Sequence, residues 1–296
     1  MNTYRPGLLV LVCVTAVTVF LLAPLIAVVP ISFTPFKYLS MPSGELSLRH
    51  YRTLIEDPEW VSSILLSLRI AVVSSILATV LAVTFGLGIW YLRPRFTGVL
   101  VGFVLLPMVV PPVVSAVSLY FLSTTISQIF EPAGYDTWPG VVLCHVVMIT
   151  PFAVVVILVA LSQFDRRIEM AARGLGASLW QTTFLVVLPN IRFGIVSAAF
   201  LCFVLSWEEI GVTLFVTSVE AITLPRLVWM GLRDNLDPAI AAISVVLTGL
   251  TVIAILTRML VQRSRQAATT TGEAAAPMAV QPVGAETMPV GRPGGA

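Results

Sequence analysis

Residues 165–189 read DRRIEMAARGLGASLWQTTFLVVLP, a charged and small-residue stretch set between two long apolar runs. Phe164, Ile168, Ala171, Ala172 and Leu175 recur at helical spacing, so the first part is expected to be a short helix. Gly174 and Gly176 give the chain freedom to turn after it. Ser178 is placed to cap a second helix through its hydroxyl, and Pro189 to stop that helix before the next apolar run. Ala171, Ala172 and Gly176 are small enough to let a second body approach closely. The segment is therefore expected to be a knob between two apolar helices, shaped to enter a cleft in a partner.

The rest of the chain states what surrounds that knob. Its 296 residues are 57% hydrophobic and 11% charged, with a mean hydropathy of +0.97. A water-soluble domain carries about 25% charged residues, so this composition cannot cover a water-facing surface. A wholly disordered chain and a secreted disulfide scaffold are excluded, and a net charge of +2 gives no ground for a nucleic-acid partner. What remains is an all-α integral membrane protein, because backbone in lipid must satisfy its own hydrogen bonds. Cys13, Cys144 and Cys202 lie in apolar runs without short mutual spacing and read as small buried hydrophobes.

Six apolar segments are long enough to span, at roughly 20 residues per crossing: 8–33, 61–92, 99–125, 138–161, 191–219 and 238–260. The third is interrupted by Pro107, Pro111 and Pro112 and should bend. The first is too long for a signal-peptide core and has no small-x-small cleavage pattern after it. With both termini cytoplasmic, Arg93, Arg95, Arg166, Arg167, Arg173 and Arg192 fall inside, as the positive-inside rule requires, and fewer basic residues fall outside. The resulting organisation is a first helix (1–33), a polar external loop with a short surface helix (34–60), a five-helix core (61–262) holding the cytoplasmic loop 162–190, and an Ala/Thr/Gly/Pro-rich tail (263–296) expected to be disordered.

The spacing of the loop resembles the EAA loop of permease subunits of ATP-binding-cassette importers: Glu-Ala-Ala, three residues, Gly, nine residues, Ile-x-Leu-Pro. Here Ala171-Ala172 are followed by 173–175, Gly176, residues 177–185, and Val186-Val187-Leu188-Pro189. Met170 stands where the family usually has Glu, and Glu169 sits one residue earlier. The resemblance covers about residues 60–262. It implies a type I importer permease (MetI-like) fold in a bacterial inner membrane, and coupling to an ATPase through Glu169, Met170, Ala171, Ala172, Gly174, Gly176, Leu188 and Pro189. It also implies a second permease subunit, two ATPase subunits that carry ATP-Mg, an external substrate-binding protein, and no cofactor in this chain. The stretches SWEEIGVTLFVT (206–217), TLP (223–225) and PAIAAI (238–243) are similar to the second permease of spermidine/putrescine-type importers. Relatives moving 4-aminobutyrate, opines and aminophosphonates share much of this.

Ionisable groups inside apolar runs are costly, at about 2.5–3.5 kcal/mol each near mid-membrane. Glu208 and Glu209 are such groups, with Gly211 nearby to distort the helix. One reading has at least one of them lining a path for a cationic solute, with Trp207 stacking on an ammonium. The other has them as a structural pair. His145 reads as a hydrogen-bonded packing residue or a proton relay, and Arg69 as a snorkelling, paired or path-facing residue. No G-x-x-x-x-G-K-[ST] occurs, so nothing here binds ATP by that route. The competing class is a self-sufficient secondary transporter or channel with Glu208, Glu209 and His145 as ion sites, which leaves the loop spacing without a reason.

Overall fold

The computed structural model describes residues 7–234, 237–253 and 256–257. These residues are mostly helical, with no strand among them. By packing, the chain divides into a unit of residues 1–245 and a second of 246–296. The expected tail 263–296 lies outside the described residues, as do Arg5 and the end of the sixth expected span.

The helices are α1 (Leu8–Ser32), α2 (Arg49–Glu56), α3 (Pro58–Leu92), α4 (Thr97–Val109), α5 (Pro112–Ile129), α6 (Trp138–Ser162), α7 (Arg166–Gly174), α8 (Leu179–Thr182), α9 (Leu188–Asn190), α10 (Arg192–Glu208), α11 (Gly211–Val216), α12 (Leu224–Asp234) and α13 (Ala239–Ile253). A π-helical stretch, Thr183–Val187, joins α8 to α9. The short surface helix expected in 34–60 is α2.

Among the described residues, four helices are each long and apolar enough to cross a membrane: α1, α3, α5 and α6. A fifth crossing results if 179–190 and α10, bent by 68° at Ile191, count as one span. The shorter apolar helices α4 and α13 complete the set of expected segments. The third expected span is two helices rather than one bent helix. Val110 is extended (ψ 134°) because a residue before proline is pushed out of the helical region, and Pro111 and Pro112 then restart the chain as α5. The fifth expected span also breaks, between Glu208 and Gly211.

In lipid there is no hydrophobic force to drive helices together, so close packing of small residues does that work. One face of α3 is a stripe of Ser63, Ser67, Ala71, Ser74, Ala78, Ala82 and Gly86, all buried. Helices α6 and α10 lie against it. A Cβ on Gly86 would stand 2.8 Å from Ile157 Cγ2, and one on Gly194 only 2.4 Å from the Cβ of Ala160. Helices α3, α6 and α10 thus form the core, filled by Ile149, Ala153, Val154, Ile157, Val187 and Ala198. Asp57 caps α3 by accepting from Glu59 N at 2.9 Å, and Thr137 caps α6 by accepting from Gly140 N at 3.1 Å. Helix α1 is exposed along almost its whole length, and Cys13 with it; Cys144 and Cys202 are buried, as expected.

Candidate functional site

The knob is built by two capping devices. Asp165 accepts from Arg167 N (2.8 Å) at the start of α7. At its end Gly176 takes a left-handed φ of +90°, while Ala177 N donates to Ala172 O and Gly176 N to Arg173 O. That pair of bonds is a Schellman motif, which satisfies carbonyls the helix leaves unpaired. Ser178 then opens α8 with a reciprocal capping box: its Oγ accepts from Gln181 N (3.3 Å), and Gln181 Oε1 accepts from Ser178 N (2.8 Å).

These caps decide which side chains face out. Met170 is 63% and Leu175 91% exposed, and Trp180, stacked on Phe184 at 5.7 Å, is also exposed. Ile168, Ala171, Gly174 and Gly176 are exposed too, and Ala172 is half-buried. Leu188 packs against the core and Pro189 is exposed at the bend. The outward surface thus carries Met170, Ala171, Leu175 and Trp180 beside the exposed Arg167 and Arg173, and Glu169 is absent from it.

Glu169 points the other way. It is only 8% exposed, and its Oε2 accepts from the indole Nε1 of Trp90 at 2.8 Å. Arg166 stacks its guanidinium 4.0 Å from the same indole and donates to the Trp90 carbonyl at 2.9 Å. On the other arm of the knob, Tyr91 OH lies 2.9 Å from Thr183 Oγ1. Sequence reasoning missed Trp90 and Tyr91, because aromatic residues ending an apolar run read equally well as membrane-interface anchors.

The second cluster sits where α10 breaks. Glu209 turns back, and its Oε1 accepts from Val212 N (2.9 Å), capping α11, while Thr213 Oγ1 donates to the Glu209 carbonyl. His145 spans the break from α6: Nδ1 is 2.8 Å from Ser206 Oγ on α10, and Nε2 is 3.3 Å from Thr213 Oγ1 on α11. It is thus a hydrogen-bonded core residue. Glu208 is exposed and, among the described residues, makes no hydrogen bond or ion pair. Trp207 beside it stacks on Phe203 at 6.2 Å. The break explains how two adjacent carboxylates take different directions, which an unbroken helix sets about 100° apart. The Arg69 guanidinium lies 3.7 Å from the Trp138 ring at the start of α6.

Beyond the break, Asp136 holds the loop between α11 and α12. Its carboxylate accepts four backbone N–H bonds, from Ser218 (2.7 Å), Val219 (2.8 Å), Glu220 (3.1 Å) and Ala221 (3.2 Å). Partial burial alone would raise its pKa, but these four donors outweigh it and hold the carboxyl below its ordinary 3.8. Arg226 adds bonds to the carbonyl and hydroxyl of Thr217. A lone Asp in a polar loop gives no sequence signal for this role.

Residues 78–266 match the family described as binding-protein-dependent transport system inner membrane component. The chain is 32% identical over 237 residues to the putrescine transport system permease protein PotI of Escherichia coli K12, an alignment spanning 78% of this chain and 82% of that one. It is 27% identical over 244 residues to the spermidine/putrescine permease PotC of Haemophilus influenzae (82% and 92%). It is also 34% identical over 186 residues to the molybdenum permease ModB of Escherichia coli K12 (58% and 79%). Among solved structures, a bacterial ABC transporter involved in the import of the acidic polysaccharide alginate has the same fold, with a TM-score of 0.64 at 14% identity over 89% of this chain and 99% of that one.

Proposed function

Since this chain belongs to the family of binding-protein-dependent transport system inner membrane components, and so is a multi-pass inner-membrane permease subunit of an ATP-binding-cassette importer, we propose that its cargo is a polyamine or a related small amine. The observation that carries the cargo reading is the free carboxylate of Glu208 at the break of α10, beside Trp207, while Glu209 is occupied with capping. A carboxylate and an ammonium 4 Å apart attract by roughly 4 kcal/mol at an effective dielectric near 20, before desolvation is subtracted. The same charge repels an anion by as much. Similarity to PotI and PotC supports the same class. The 4-aminobutyrate, opine and aminophosphonate readings share the ammonium and differ in what it is attached to.

In this reading the chain works with a second permease, two ATPase subunits that bind ATP-Mg, and an external binding protein. The face of the knob carrying Met170, Ala171, Ala172 and Leu175 docks in a cleft of one ATPase. Closure of the ATPase pair pushes the knob and shifts the balance between inward- and outward-open states, because nucleotide and loaded binding protein each favour one of them. Six crossings with both termini cytoplasmic fit the docking side. ATP hydrolysis belongs to the partner subunits.

The test is uptake by the whole importer in vesicles. Putrescine and spermidine should enter with ATP, and Glu208→Gln should reduce their uptake about tenfold or more while the complex still assembles. Uptake of molybdate in preference to amines, unchanged by Glu208→Gln, would overturn the cargo reading. That second cargo is the one favoured by the similarity to ModB. Solute accumulation by the purified chain alone on an ion gradient would overturn the importer mechanism itself and favour a secondary transporter.

A further inference from the structure

Glu169 is the only acidic side chain of α7, and it is buried on a helix that otherwise stands exposed. Burying a carboxylate is expensive unless its charge is met by a donor. The donor is the indole N–H of Trp90, in a charge-assisted bond of 2.8 Å. Trp90 is itself held on its other sides, by the Arg166 guanidinium at 4.0 Å and by the Phe164 ring at 5.8 Å. Its neighbour Tyr91 bonds Thr183 in the π-helical stretch on the opposite arm of the knob. Two consecutive residues at one end of α3 therefore grip both arms of the knob.

Helix α3 carries that grip a long way. Its 35 residues span about 50 Å at 1.5 Å per residue. Toward its far end Arg69 lies against Trp138 at the start of α6, and Ser67 Oγ accepts from Leu224 N at the start of α12 (2.7 Å). We infer that Trp90 and Glu169 are positioning residues that latch the knob to α3, so that a push on the knob is delivered along α3 to α12 and the loop that Asp136 holds. Glu169 serves coupling from inside the chain, while Met170 occupies the outward position beside it. This inference rests on the coupling role proposed above.

The test uses the complete importer in proteoliposomes. Trp90→Phe removes the N–H donor and keeps the ring between Arg166 and Phe164; Glu169→Gln keeps an acceptor and removes the charge. Both should raise ATP hydrolysed per putrescine imported by about tenfold to a hundredfold, the factor that corresponds to one hydrogen bond to a charged group. Uptake and hydrolysis falling in parallel, or neither changing, would overturn the latch. A solute-independent reading uses spin labels at Ser62 and Leu122 in a Cys13→Ser background. ADP-vanadate should shift their separation in the parent and fail to do so in Trp90→Phe, although vanadate is still trapped. A full shift in the variant would overturn the latch. A parent that brings down no ATPase condemns the importer mechanism instead, and a parent that couples ATP but takes up no putrescine condemns only the cargo, leaving the label arm to decide.

Discussion

Replacing Gly176 by Ala isolates one physical term. No heavy atom lies within 4 Å of where its Cβ would stand, so the change causes no clash. Its φ of +90° lies in the left-handed region, where a residue with a Cβ costs about 1–2 kcal/mol. Gly174, two residues earlier, also has open space around its Cβ position but lies within α7 at ordinary helical angles. Alanine there should stabilise the helix by about 0.5–1 kcal/mol. The two substitutions are chemically identical and should act in opposite directions. Loss of the Schellman turn at Gly176 raises the open population of the knob by a factor of about 5–30. Tryptic cleavage after the exposed Arg173, in membranes and under conditions where reclosing outpaces cutting, reports that population. Gly176→Ala should accelerate cleavage by about that factor and reduce ATP-driven uptake. Gly174→Ala should slow cleavage or leave it unchanged. Gly176→Asn should fall between parent and alanine, since Asn tolerates the left-handed region better. Equal cleavage rates for the two alanine variants would refute the reasoning.

Other outcomes follow from single contacts. His145→Ala leaves the buried Ser206 hydroxyl without its partner, at about 1–3 kcal/mol for an unsatisfied group, while Thr213 keeps its bond to the Glu209 carbonyl; the change should lower the unfolding temperature of the detergent-solubilised protein by several degrees. Gly194→Ala overfills the α6–α10 contact at a cost of about 1–3 kcal/mol, and Ala160→Gly in the same chain should recover most of it in a double-mutant cycle. The depressed pKa of Asp136 means that its contribution is present in full above the unfolded value of about 3.8–3.9 and is lost as pH falls through the lower folded value. Labelling of a Val219→Cys probe, divided at each pH by the rate of a free thiol, should therefore stay constant from pH 8 to pH 5 and rise only in stronger acid; Asp136→Asn should raise this ratio at every pH.

The knob was readable because its signals are local. Gly176 is needed where φ turns positive, Ser178 and Gln181 cap over three residues, and a chain that alternates long apolar runs with short polar joints has few ways to satisfy its backbone in lipid. The apolar runs were readable for the same reason, but their continuity was not. Pro111 and Pro112 announced a disturbance without saying whether α4 and α5 would remain one bent rod. The break after Glu208 was harder still, since it has no proline, and Gly211 only permits it.

The order of residues determined that this chain lives in a membrane, that its backbone is helical, and that a small-residue elbow projects between two apolar runs. Side-chain direction was decided only when the helices packed. Glu169 and Met170 are adjacent, and helical spacing alone allows either to face a partner; the indole of Trp90, 79 positions away in sequence, draws the carboxylate inward. Glu208 and Glu209 are identical residues side by side; the break lets one cap α11 and leaves the other free. Charge in a low-dielectric setting must find a donor, and donors from distant helices arrive through tertiary packing, which no local pattern encodes.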